Sequence, residues 1–125
     1  MTTANEIAEN YIATWNETNV DARAALIARH WSKAPRYQDP LMAASDAHEL
    51  SGMIGAVHDR FPGFRFKLIN QPDGHSDYVR FAWGLGPEGQ EAVIEGSDIV
   101  ETRSGRIDRV VGFLDKLPAA SKIPD

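Results

Sequence analysis

Three residues put polar chemistry where the pattern around them is apolar: Tyr11, Asp39 and Asp98. Tyr11 falls on the apolar stripe of a helical pattern, one turn before Trp15, so its hydroxyl must find a buried partner or reach water. Asp39 shares parity with Tyr37 on a short extended segment, which points both side chains to one side. Asp98 shares parity with Ala92, Ile94, Gly96 and Val100, a face with no other charge. Desolvation on such a face favours the protonated carboxyl. Two carboxyls in unlike surroundings are what one site needs to run acid and base chemistry together. Each residue also has a plainer reading. Tyr11 suits a core tyrosine with a wet hydroxyl, Asp39-Pro40 is a common turn-initiating pair, and a one-residue slip would turn Asp98 to solvent.

Around these three, Trp15, Tyr37, Val57 and Phe61 are the candidate pocket lining from the first half of the chain. Phe81 and Trp83 on one strand face, and Phe113 on the last strand, are the candidates from the second half. His58 borders the apolar stripe of a helix, where it would serve as a second proton carrier or as a boundary histidine.

Other chemistries find little support. With no cysteine there is no thiol nucleophile, thiolate metal site or disulfide. The four histidines form no His-x-x-x-His pair, so no metal is expected. Gly84, Gly86 and Gly89 lie between two strands instead of opening a helix, which fits a hairpin better than a phosphate loop. No Gly-x-Ser-x-Gly elbow occurs.

The positioning elements follow from periodicity. Thr3 and Glu6 have capping-box spacing, and Ile7, Ala8, Tyr11, Ile12 and Trp15 continue as one helical face to about Thr18. A second helix is expected from an Asp21 cap, with Ala24, Ile27 and Trp31 on one stripe and Pro35 stopping it. Residues 36–40 read as a short strand, since a residue before proline is pushed out of the helical region. Ser45 or Asp46 caps a third helix through Leu50, Met53, Ile54, Val57 and Phe61, ended by Pro62-Gly63. The rest reads as strands at 64–71, 78–85, 92–101 and 107–114, with turns at Pro72-Asp73-Gly74, at 86–89 and at Ser104-Gly105. Connections this short imply antiparallel hairpins. Helices first and strands after argue for an α+β fold, three helices on one face of a curved antiparallel sheet. A single domain over 1–117 and a loose tail at 118–125 complete the expectation.

The chain has 125 residues, 42% of them hydrophobic and 25% charged, enough for one core without staples. Its net charge of −5 would repel a phosphate backbone, so nucleic acid is not an expected partner. No apolar run is long enough to span a bilayer, and the first residues lack a signal-peptide pattern, which points to the cytoplasm.

Glu9-Asn10-Tyr11-Ile12-Ala13-Thr14-Trp15-Asn16, Arg36-Tyr37-Gln38-Asp39-Pro40 and Glu95-Gly96-Ser97-Asp98, in this order of elements, resemble the nuclear transport factor 2-like superfamily. Within it they resemble the SnoaL-like and steroid Δ-isomerase-like proteins, over about residues 4–115. The resemblance implies a cone formed by a curved sheet and three helices, with an interior hydrophobic pocket and commonly a homodimer. It further implies cofactor-independent proton transfer next to a carbonyl on a small apolar or carbonyl-containing molecule. Asp39 would then be the base, with Tyr11 and a protonated Asp98 facing the oxygen where charge develops. Trp15 and Trp83 would narrow the pocket against a bulky steroid. A SnoaL-like cyclase working by an aldol step, and a non-catalytic domain for apolar ligands or dimerisation, are the alternatives.

Overall fold

The first helix, α1 (Ala4–Asn16), begins where Thr3 and Glu6 place it. The Thr3 hydroxyl accepts from the Glu6 amide at 3.1 Å, and the Glu6 carboxylate accepts from the Thr3 amide at 3.3 Å. Its buried face is Ile7, Ala8, Tyr11, Thr14 and Trp15. The computed structural model describes residues 3–118, so all but the first residue of the expected loose tail lies outside the described residues.

The second helix, α2 (Val20–His30), departs from expectation at both ends. Asn19, not Asp21, is the cap, accepting from the Ala22 amide at 2.9 Å. The helix stops before Pro35 is reached, because Trp31 is drawn into the core as the first residue of β1 (Trp31–Gln38). Its indole N–H donates to the Thr14 hydroxyl at 3.2 Å, and its ring lies 5.7 Å from that of Tyr11. Pro35 sits inside the strand, where the register slips between Trp31 and Arg36, an irregularity that suits a residue with no amide to donate.

After the two-residue β2 (Ala43–Ala44), Asp46 caps α3 (Ala47–Arg60) by accepting from the Glu49 amide at 2.7 Å. The strands that follow are β3 (Phe64–Leu68), β4 (Asp73–His75), β5 (Tyr78–Pro87), β6 (Ile94–Arg103) and β7 (Arg106–Lys116). Asp73 and Gly74, expected in a turn, instead belong to β4, and the reversal falls one step later, where Ser76 has φ 52°. Ser104 and Gly105, with φ 52° and 77°, make the tight β6–β7 turn that needs two left-handed residues.

The sheet order is β2-β1-β7-β6-β5-β3, with β4 on β5. One pairing corrects the expected all-antiparallel sheet: β1 runs parallel to β7, with Tyr37 opposite Val110. The chain passes through α3 and five strands between them, so no hairpin fixes their sense. The fold is α+β, with three helices and a curved, unclosed mixed sheet. Phe66, Phe81, Trp83, Val100 and Val110 point into the core with the helices, while Ile99 and Phe113 stand on the outer face. Among the described residues no helix is long and apolar enough to cross a membrane.

Candidate active site

Alternation on β6 turns Asp98 inward, where it is 1% exposed. The Tyr11 hydroxyl donates to its Oδ2, and Oδ1 is buried without a partner. Burial pushes the Asp98 carboxyl up to about 6, with Asp39 and Asp115 adding to the rise and the Tyr11 hydroxyl and Trp83 indole opposing it. Burial, and then the Asp98 charge, also holds the Tyr11 hydroxyl well above the usual phenol range. Tyr11 is clamped by the edge of Phe81, 5.1 Å between centroids, so its hydroxyl has a fixed aim.

Asp39 follows β1 and is half-buried. Its Oδ1 accepts from the Leu41 and Met42 amides at 2.7 and 2.8 Å, closing the turn that Asp-Pro initiates. Its Oδ2 accepts from the Tyr37 hydroxyl at 2.5 Å. The turn reading and the site reading are therefore both present in one residue. Burial raises the pKa of the Tyr37 hydroxyl, and the charges of Asp98 and Asp39 add to this, so it stays a donor.

Both carboxyls approach over Gly112, which pairs with Asp98 across β6–β7. A methyl group there would stand 2.7 Å from Asp98 Oδ1, 3.2 Å from the Asp39 Cβ and 3.5 Å from the Tyr37 hydroxyl. Gly112→Ala is expected to destabilise the protein by about 1–3 kcal/mol in urea, as overpacking does, and to move the Asp98 carboxyl titration. An unmoved titration would mean that Asp98 does not rest on Gly112.

Tyr11, Trp15, Tyr37 and Asp39 line one cavity of about 90 Å³ with Phe66 and Trp83, and among the described residues Asp39 is the only charged one in its wall. Val57 and Phe61 line it too, while Leu41 and Leu117, 72% and 60% exposed, form its rim. Asp98 stands behind Tyr11 and does not line the cavity. Three expected lining residues lie elsewhere. Phe81 is packed behind Tyr11 in the core, and Phe113, 53% exposed, has the opposite parity to Asp98 because it pairs with Ser97. His58 turns to the end of α1, where its Nε2–H donates to the Trp15 carbonyl at 2.6 Å. Sequence reasoning missed Phe66, Met42 and Leu85. Phe66 had a readable signal in its alternation with Phe64, whereas Met42 faces the cavity only because Asp39 folds the turn. Among the described residues, no cluster of three His, Asp or Glu could hold a metal.

Three helices and a curved, unclosed mixed sheet make this a nuclear transport factor 2-like fold, here with an apolar cavity whose wall holds Asp39. Residues 8–110 match the SnoaL-like domain, and the chain belongs to that family. It is similar to a provisionally assigned isomerase of the SnoaL-like family from Agrobacterium tumefaciens strain C58. The two share 42% identity over 92% of this chain and 99% of the other, with a TM-score of 0.86. Two more distant structures share the fold. One is a provisionally assigned ketosteroid isomerase from Kribbella flavida (14% identity, 95% and 84% covered, TM-score 0.67). The other is a provisionally assigned SnoaL-like polyketide cyclase from Jannaschia sp. CCS1 (13%, 89% and 86%, 0.68). No curated protein matches the sequence.

Proposed function

We propose that the protein moves a proton at a carbon next to a carbonyl, with Asp39 as the base. The observation that carries this reading is that Asp39 faces a cavity with no other charge among the described residues, whose wall also holds Tyr11, itself backed by buried Asp98. The Asp39 carboxylate takes a proton from carbon, the C–H electron pair moves toward the carbonyl, and charge develops on oxygen. When Asp98 is protonated, its O–H donates to Tyr11, which frees the Tyr11 proton for that oxygen. The protonated Asp39 then returns its proton to the same or a conjugated carbon. Donors fixed in an apolar wall stabilise such charge more than water does.

The test is exchange of the α-hydrogens of cyclohexanone in D₂O, followed by NMR across pH. Exchange is expected to be faster below the Asp98 midpoint of about 6 and to fall as pH rises through it, because ionised Asp98 keeps the Tyr11 proton for itself. No enzyme-dependent exchange would sink the catalytic reading. A binding domain is then the better description, favoured by the donors that already occupy both Asp39 oxygens. A polyketide cyclase would use the same acid on a larger substrate. The cavity of about 90 Å³ favours a smaller one, since pockets for drug-sized ligands run from about 300 Å³.

A further inference from the structure

Arg103 and Arg106 stand directly opposite each other across the β6–β7 hairpin, two like charges at its end. Both line a groove that this turn forms with α2 and the start of α3, and Lys33 lies in the same wall. Like charges set directly across a strand pair destabilise it, and a bridging anion would relieve them. The described residues supply none. Among them no Asp or Glu lines the groove, and neither arginine nor Lys33 makes an ion pair. At the start of α3, Asp46 and Glu49 are already occupied as acceptors, from the Glu49 amide and from Ser45. Arg106 is fixed in place because it donates to the Ala28 carbonyl at 2.8 Å, where α2 ends and its last carbonyls lack partners. Positive charge is thus gathered on one end of a chain whose net charge is −5.

The rest of the groove is apolar. Ala24, Ile27 and Ala28 on α2 form its floor with Ala47 on α3, and Val20, 63% exposed, lies at the far end of α2. From Ala28 to Val20 the helix axis runs about 12 Å, room for a medium-length alkyl chain laid along it. Cations at one end and an apolar floor leading away from them match an amphiphile with one anionic head. The volume, about 830 Å³, falls in the range of ligand pockets, about 300–1,000 Å³. A flat anionic bilayer would meet the cations but repel the rest of a chain with this net charge. An acidic peptide would set its further carboxylates against apolar residues, where they lack partners.

We infer that this groove is a binding site for a free single-chain carboxylate, its head at Lys33, Arg103 and Arg106 and its chain along α2 toward Val20. The groove shares no residue with the Asp39 cavity, so the inference stands apart from the proton-transfer reading.

The test follows the backbone amide resonances of ¹⁵N-labelled protein during titration with octanoate, kept monomeric. The Ala24, Ala28, Arg103 and Arg106 amides are expected to shift saturably. Acetate carries the head without the chain and 1-octanol the chain without the head, and each should bind about fivefold or more weakly. Decanoate should bind about fivefold more tightly than octanoate, less than full burial of two methylenes would give because the groove is open on one side. Arg103→Glu should weaken octanoate about tenfold or more, through lost pairing and new repulsion. The same substitution makes an opposite-charge pair with Arg106, so Tm should not fall, as it would if Arg103 served only the fold. The inference is overturned if octanoate leaves those amides unmoved, if its shifts fall instead on Met42 and Leu85 at the Asp39 cavity, or if acetate or 1-octanol binds as tightly. Wild-type affinity for octanoate in Arg103→Glu would overturn it as well. So would sedimentation of the protein with phosphatidylglycerol vesicles, which would assign the cations to a membrane surface. Hexaglutamate moving the same amides at lower concentration than octanoate would assign them to an acidic protein segment and have the same effect. All but the variant's outcomes need only the wild-type chain.

Discussion

Asp39→Asn is expected to lower α-proton exchange by about 10²–10⁴-fold while leaving the fold nearly unchanged. The substitution separates the two jobs of this residue. An asparagine oxygen can still accept from the Leu41 and Met42 amides, so the turn after β1 keeps its closure. The oxygen that accepts from Tyr37 becomes an amide nitrogen, and the Tyr37 hydroxyl can turn to accept from it instead. What the amide cannot do is take a proton from carbon. Asp39→Ala is a poorer probe, because it also removes a turn closure worth about 1 kcal/mol or more. Rates should be compared at one pH below the Asp98 midpoint, where Tyr11 is free to donate. Full activity in Asp39→Asn would leave Asp39 as a turn residue only and would return the cavity to a binding role.

Most of this arrangement is written locally and was readable for that reason. The capping box at Thr3 and Glu6, the α1 stripe and the β6 alternation depend on neighbours within a turn or a strand, and the structure keeps all three. Asp98 could be placed inward because a period of two allows only two answers and one of them buried a run of apolar residues. Trp31 was misread because its position is decided by Thr14 and Tyr11, seventeen and twenty residues away, and not by its helical spacing to Ile27. The parallel pairing of β1 with β7 leaves no local mark at all, since α3 and the other strands of the sheet separate the two in the chain. In the site, the Tyr37–Asp39 contact was implied by parity. The distance between Asp98 and the cavity was not, because it depends on Tyr11 standing in front of it. Phe113 shows the limit of residue type as a guide: an aromatic on the last strand looks like lining until its partner, Ser97, fixes its face.

Asp98→Asn should stabilise the protein above neutral pH, an unusual result for replacing a residue that is 1% exposed. The sign follows from where each state binds its proton. In the unfolded chain Asp98 ionises near 3.8, whereas in the folded protein it ionises only at about 6. Between those values the folded state holds a proton that the unfolded state has lost, so stability falls as pH rises from about 4 to about 6 and stays lower beyond. The shift corresponds to a loss on the order of 3 kcal/mol. Asparagine is neutral at every pH, and its carbonyl can still accept from Tyr11, so the variant escapes this loss. Urea denaturation should give equal stabilities near pH 3.5 and a variant advantage on the order of 3 kcal/mol at pH 8, or roughly 10 °C in Tm. The gain in stability should accompany a loss of catalysis at low pH, where the wild-type carboxyl would otherwise donate to Tyr11 through a stronger O–H. A variant that is less stable at pH 8 would show that the ionised carboxylate is welcome in its site, and that Tyr11 serves to hold a charge instead of passing on a proton.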